Sequence, residues 1–154
     1  LTYKSRLHGY EPQVILSGRK INDHMAHYIS DQIFQDIEEI SSNECMVTIM
    51  GITFKEDCPD IRNSQSLKLT KLIKKKYNKV YIFDKVANIN STNDKNIILL
   101  NTLKKNTFDV IILAVPHKQI VSLGVKKIKS YLKQKNIFLD LKSYFHKKHS
   151  NFRL

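Results

Sequence analysis

The chain has 154 residues, with 26 Lys and Arg against 14 Asp and Glu, and a formal net charge of +12. That length suits one domain with chain left over for an arm or linker. A hydrophobic fraction of 42% excludes a wholly disordered polypeptide, and the lack of any apolar run of about 18 residues excludes a membrane-spanning helix. Leu1-Thr2-Tyr3-Lys4 has no apolar region of the kind a signal peptide carries, and without an initiator Met the chain reads as a piece of a longer protein. Two cysteines, Cys45 and Cys58, cannot form a disulfide framework or a zinc site by themselves, which points to a reducing, cytoplasmic setting. The sequence pI near 9.7 favours anionic partners, either nucleic acid or phosphorylated small molecules. A solvated lysine surface accounts for it equally well, because Lys74–Lys76, Lys104-Lys105, Lys126-Lys127 and Lys147-Lys148 mostly fall beside apolar positions on expected helices. No zinc-finger spacing, RNP-type aromatic motif or long basic arm accompanies them.

Residues 1–19, with Gly9, Pro12 and Gly18, read as a short helical end and then a loop. Ile21, Met25, Tyr28, Ile29, Ile33 and Ile37 recur at helical spacing and predict a long amphipathic helix over 20–40, with Asn22 or Asp23 near its first turn. His24 and His27, three apart on that helix, make either a metal pair or, without a third ligand, surface histidines. Cys45–Met50 is a β-favouring apolar run closed by Gly51. Residues 52–63 are loop, 64–78 helix, 80–83 strand, 85–95 polar loop and 96–105 helix. A third strand spans 109–115 and Pro116 ends it. A helix follows over 117–134, then a fourth strand over 136–141 and a tail. Strands alternating with helices imply crossover connections and a parallel sheet covered on both faces. The expected fold is α/β, a Rossmann-like doubly wound parallel sheet preceded by a long linker helix. Residues 1–40 form the helical lead and 41–154 the domain.

Ligands of an open parallel sheet bind beyond the carboxyl ends of its strands, which here are the loops at 51–63, 84–95, 116–117 and 141–145. Asp84 sits where a Rossmann fold places its ribose-binding acid. However, the loop after the first strand holds only Gly51, without the further glycines that let a pyrophosphate approach the backbone. A turn-forming role at the strand end is the other reading of Asp84. In the 54–63 loop Phe54 offers a flat face, Lys55 a point charge and Arg62 a planar fork for a phosphate or carboxylate. Asn63 or Ser64 caps the next helix, whose free N–H groups favour anions. Internal pairing of Lys55 and Arg62 with Glu56, Asp57 and Asp60 is the equally weighted alternative. Cys58 lies near that helix start; His117 is the single base on the same sheet edge that a nucleophilic Cys58 would need, while Pro59 points instead to a constrained turn.

The stretch Gly51-Ile-Thr-Phe-Lys-Glu-Asp-Cys-Pro-Asp-Ile-Arg-Asn-Ser64 resembles the signature of the C-terminal domain of the UDP-glucose/GDP-mannose dehydrogenase family. Its acidic-Cys-Pro-Asp-Ile-Arg-Asn form is similar to the branch that oxidises UDP-N-acetylhexosamines at C6. Ile15-Leu-Ser-Gly-Arg-Lys-Ile-Asn-Asp23, Ile112-Leu-Ala-Val-Pro-His-Lys118 and Asp140-Leu-Lys142 resemble the opening of that family's central helix, its third-strand exit and its last-strand exit. The resemblance implies that Phe54, Lys55 and Lys142 bind the UDP-sugar and that Arg62 reaches an NAD bound mainly by another domain. It implies a homodimer built through helix 20–40, with Arg19 and Asn22 at an interface or substrate edge. His117 fits the pattern without an assigned role, and Ser143 stands where a Gly is expected. The resemblance also implies that the G-x-G-x-x-G domain and the Gly-Gly-x-Cys nucleophile lie upstream of Leu1, so that these 154 residues alone are inactive. The implied parent activity is an NAD-dependent UDP-N-acetylhexosamine 6-dehydrogenase in surface-polysaccharide precursor synthesis. A basic nucleic-acid-binding module and a domain that only dimerises are the alternatives.

Overall fold

The computed structural model describes residues 2–38, 44–88 and 98–154. Helix α1 (Thr2–Leu7) leads into α2 (Gln13–Glu38), and then β1 (Met46–Met50), α3 (Gln65–Lys76), β2 (Lys79–Phe83) and β3 (Phe108–Leu113) follow. Short helices α4 (Lys118–Val121) and α5 (Val125–Lys129) precede β4 (Leu132–Asp140), and β5 (Phe152–Arg153) ends the chain. All five strands are parallel, in the order β2-β1-β3-β4-β5. The expected Rossmann-like α/β sheet is present.

The strands' period of two divides the core. Val47 and Ile49 of β1, Val80 and Ile82 of β2, and Val110 and Ile112 of β3 face α2 and α3 and pack on Ile29, Ile33, Ile37, Leu69 and Ile73. Met50, Ile111, Leu113 and Phe138 face the other way, onto Ile120, Ile128 and Tyr131. Both faces are covered, so the strands are near-continuously apolar, as buried parallel strands are.

Several expectations are corrected. The long helix starts at Gln13 instead of residue 20, directly after Pro12, whose fixed φ suits a helix entry. Gly18 is tolerated inside it, and Asp23 lies mid-helix, paired with Lys68 at 2.6 Å. Residues 39–43 and 89–97 lie outside the described residues, and with them the helix end at 40, most of the 85–95 loop and the first two residues of the 96–105 helix. Over 98–105, the described part of that expected helix, no helix forms. Ile82 donates to the Ile98 carbonyl and Leu100 to the Ile82 carbonyl, so this apolar triplet lies as an extended strip beside β2. The 117–134 helix is broken into α4 and α5 at Gly124, which takes a φ of +76°. Leu132 to Gln134 belong to β4, where an irregular register lets Phe108 pair with Leu132 and Val110 with Ile137. The tail contains a 3-10 turn over Lys147–His149 and the β5 strand.

Asp140 redirects the chain at the end of β4. Asp140 is fully buried, and its carboxylate accepts the Tyr144 and Phe145 N–H groups. Ser143, where a glycine is expected, adopts a φ of +53°. Its hydroxyl donates to the Leu154 carbonyl and accepts from Arg153, and its own carbonyl accepts from Arg153 as well. The C-terminal strand thus holds the left-handed turn that a glycine would adopt freely.

Candidate functional site

A cleft of about 290 Å³ opens at the carboxyl ends of the strands. Helix α2 supplies Asn22, Met25 and Ala26, the loop after β1 supplies Phe54, Lys55 and Glu56, and the start of α3 supplies Gln65 and Ser66. Leu141 and Lys142, leaving β4, close the far side. The structure therefore brings Phe54, Lys55 and Lys142 to one cavity. Phe54 is 60% exposed although aromatic. The Lys55 and Lys142 side chains are exposed and, among the described residues, form no salt bridge. Two unpaired ammonium groups beside a flat apolar ring suit an anionic ligand with a ring system. Gln65, which the sequence reading passed over, lines the cleft with a side-chain oxygen that has no partner among the described residues.

The loop carrying Phe54 and Lys55 is fixed from several directions. Gly51 takes a φ of +80°, and a Cβ there would lie 2.2 Å from the Val115 carbonyl oxygen. No other residue type fits this β1–β3 approach without backbone movement. Asp84 Oδ2 accepts the Ile52 N–H at 2.7 Å, while Oδ1 accepts the N–H groups of Val86 and Ala87. Ser64 caps α3: its hydroxyl accepts the Leu67 N–H and donates to the Thr53 carbonyl, both at 3.1 Å. Asn63 enters the cap with a φ of +57°, a conformation asparagine tolerates. Buried beneath the loop, His117 contacts Thr53, Asp57 and Asp84 through its two ring nitrogens.

Burial pushes the Asp84 carboxyl up, but the hydrogen bonds from His117 and from the Ile52, Ala87 and Val86 backbone outweigh it. The group is held below the ordinary carboxylate value. Asp84 is the strand-end turn former, and its oxygens are committed inside the protein. Together with the single glycine at 51, this means the residues after β1 and β2 do not fit a dinucleotide at this domain's own switch point.

Arg62 stands apart from the cleft lining. It is bidentate to Asp60, with Nε–Oδ1 at 3.0 Å and Nη2–Oδ2 at 2.7 Å, on an exposed surface. Asp60 is correspondingly held at about 2 by the Arg62 side chain and backbone N–H. Here the internal-pairing alternative describes Arg62, whereas Lys55 stays unpaired. Arg19 donates to the Thr2 hydroxyl and ties α1 to α2, so of the Arg19 and Asn22 pair Asn22 reaches the cleft. Cys45 and Cys58 form no disulfide. Both nitrogens of His117 are engaged with Thr53, Asp57 and Asp84, so His117 is not placed as a base for Cys58. No metal-binding group of three, including one through His24 and His27, occurs among the described residues. No helix among them is long and apolar enough to cross a membrane.

The family model described as "UDP-glucose/GDP-mannose dehydrogenase family, UDP binding domain" matches residues 48–147. That span runs from β1 through the cleft loops to the β4 exit. The whole chain is 37% identical to a UDP-N-acetyl-D-glucosamine 6-dehydrogenase from Salmonella typhi and 32% identical to one from Pseudomonas aeruginosa, spanning 37% of the length of each. Protein CapL from Staphylococcus aureus is 32% identical over 92% of the chain and 34% of its own length. Among solved structures, a UDP-glucose dehydrogenase from Pyrobaculum islandicum superposes with a TM-score of 0.75 at 15% identity, covering 99% of this chain and 34% of that one. A UDP-D-ManNAc dehydrogenase from Pyrococcus horikoshii superposes at 0.67 with 21% identity, over 88% and 31%; both likenesses establish the fold. The chain belongs to the UDP-glucose/GDP-mannose dehydrogenase family and carries its UDP binding domain.

Proposed function

We propose that this chain is the nucleotide-binding part of a UDP-N-acetylhexosamine 6-dehydrogenase, an NAD-dependent enzyme that oxidises the C6 alcohol to the uronate for surface-polysaccharide precursors. The observation that carries this reading is the convergence of Phe54, Lys55 and Lys142 on one cleft at the strands' carboxyl ends. Phe54 packs against the nucleoside or sugar, and the two lysines neutralise the diphosphate. The named activities of the two dehydrogenases at 37% and 32% identity support the substrate class. NAD belongs to the reaction, but the chain's own switch point does not hold it. Arg62, already oriented by Asp60, reaches toward an NAD held mainly by another domain. These 154 residues alone reduce no NAD.

Residues 1–40 are, in this reading, the end of a central helical region, and 41–154 the UDP-binding domain. A homodimer forms through α2, supported by an outward apolar stripe at heptad spacing: Val14 is 87% exposed, Ile21 66% and Tyr28 56%. The setting is cytoplasmic, in keeping with two cysteines that form no disulfide. Calorimetric titration of UDP into the 154-residue chain tests the site. Lys55→Ala and Lys142→Ala each weaken binding by about tenfold. An unchanged dissociation constant in both variants contradicts the assignment.

A further inference from the structure

We infer that His117 is a positioning residue for the nucleotide site: through Thr53 it holds the Phe54–Lys55 turn in the shape that presents the Lys55 ammonium to a diphosphate. The inference rests on the reading of the cleft as a nucleotide site. His117 is 0% exposed and follows Pro116 at the β3 exit. The Asp57 backbone N–H donates to Nδ1 at 2.9 Å, so that nitrogen presents a lone pair and the ring proton sits on Nε2. Nε2 faces two oxygens, Thr53 Oγ1 at 3.1 Å and Asp84 Oδ2 at 3.2 Å. The Thr53 hydroxyl gives its own proton to the Lys55 carbonyl at 2.9 Å, which leaves its lone pair for the imidazole. One ring therefore joins three segments: the loop after β1, the residue after β2 and the stretch between β3 and α4. The loop is closed again where the Lys118 N–H donates to Asp57 Oδ1 at 3.0 Å and the Phe54 N–H to the Asp60 carbonyl at 2.8 Å.

An apolar residue would fill the same volume, so packing alone does not require a histidine. What requires it is an acceptor and a donor on one rigid plane, set toward Asp57 on one side and toward Thr53 and Asp84 on the other. The two functions are separable by substitution. Asparagine places an oxygen near the Nδ1 position and keeps the acceptor for Asp57, but its amide cannot reach Thr53. Glutamine carries an N–H to about the reach of Nε2.

The test is UDP titration of the 154-residue chain and its His117→Asn, His117→Gln and Thr53→Val variants, with amide hydrogen exchange and thermal melting measured on each. His117→Asn is expected to bind UDP about tenfold more weakly and to exchange faster at Phe54, while His117→Gln stays within about threefold of the parent. Thr53→Val removes the relay hydroxyl but leaves the His117–Asp84 bond. It is expected to match the loss in His117→Asn, and it carries the test should that variant fail to fold. Parent-like UDP affinity in Thr53→Val, or equal losses in the asparagine and glutamine variants that merely follow their melting temperatures, overturns the inference. If the parent chain binds no UDP, the nucleotide reading fails and the inference with it; that outcome is distinct, because the exchange at Phe54 still reports whether the clamp itself exists.

Discussion

Asp84 accepts three backbone N–H groups and faces His117, all within the folded chain. Because its carboxyl is held below the ordinary value of 3.8, the unfolded chain takes up the proton first as pH falls. The stabilisation is complete above 3.8, and it is lost as pH drops through that value toward the folded one. Asp84→Asn is expected to unfold more easily at neutral pH, by about 1–3 kcal/mol, and to show a shallower acid limb, as followed by circular dichroism. An acid limb identical to the parent's contradicts this. At this scale the placement of Phe54, Lys55 and Lys142 on one cleft was legible because each lies in or beside a short local motif at a strand exit. The role of His117 was not, because its partners lie 33, 60 and 64 residues away in sequence. Arg62 was legible only as a choice between two readings, and Asp60 two positions earlier satisfied its fork locally.

Gly51 joins the first strand to the site loop, and its contact with Val115 sets how closely β1 and β3 approach there. Gly51→Ala forces both a disfavoured φ and a backbone clash. It is expected to cost at least about 2 kcal/mol in denaturant unfolding; a midpoint unchanged from the parent contradicts the close approach. Element boundaries were read best where apolar period and punctuation agreed, as in β1 with Gly51, whereas β3 ends at Leu113, two residues short of the expected 115. The 117–134 helix failed because Gly124, at a φ of +76°, interrupts a pattern that otherwise suits a helix, and because Leu132 is drawn into pairing with Phe108. The strip at Ile98–Leu100 failed because edge pairing with Ile82 satisfied its backbone where a helix was expected. Helix α2 read as a single stripe, whereas it carries two. Ala26, Ile29, Ile33 and Ile37 are buried on the sheet, and Val14, Ile21 and Tyr28 face outward. A double Ile21→Lys, Tyr28→Lys variant is therefore expected to retain the fold, because it alters only the outward stripe. It should shift from dimer to monomer by sedimentation; a parent-like mass contradicts the helix-mediated dimer.

At the scale of the whole molecule, the lysines behind the charge of +12 do not gather into one footprint among the described residues. Lys74–Lys76 end α3 on one face of the sheet, and Lys126, Lys127 and Lys129 lie on α5, which packs on the other. A nucleic-acid duplex needs a continuous basic stripe, whereas a small diphosphate needs only the two lysines at the cleft. The fold class was legible from the alternation of strands and helices, and the edge that carries the cleft from the rule that places sites beyond strand carboxyl ends. What periodicity did not carry was the fifth strand, which depends on Phe152 and Arg153 pairing with Leu139 and Asp140. The most direct measurement is a backbone NMR titration of the 154-residue chain with UDP. Shift changes are expected to concentrate at Phe54, Lys55, Gln65, Ser66 and Lys142. Changes confined to the opposite cavity beside Tyr81, Leu100 and Phe108, or no changes at all, would contradict a nucleotide site at the strands' carboxyl ends.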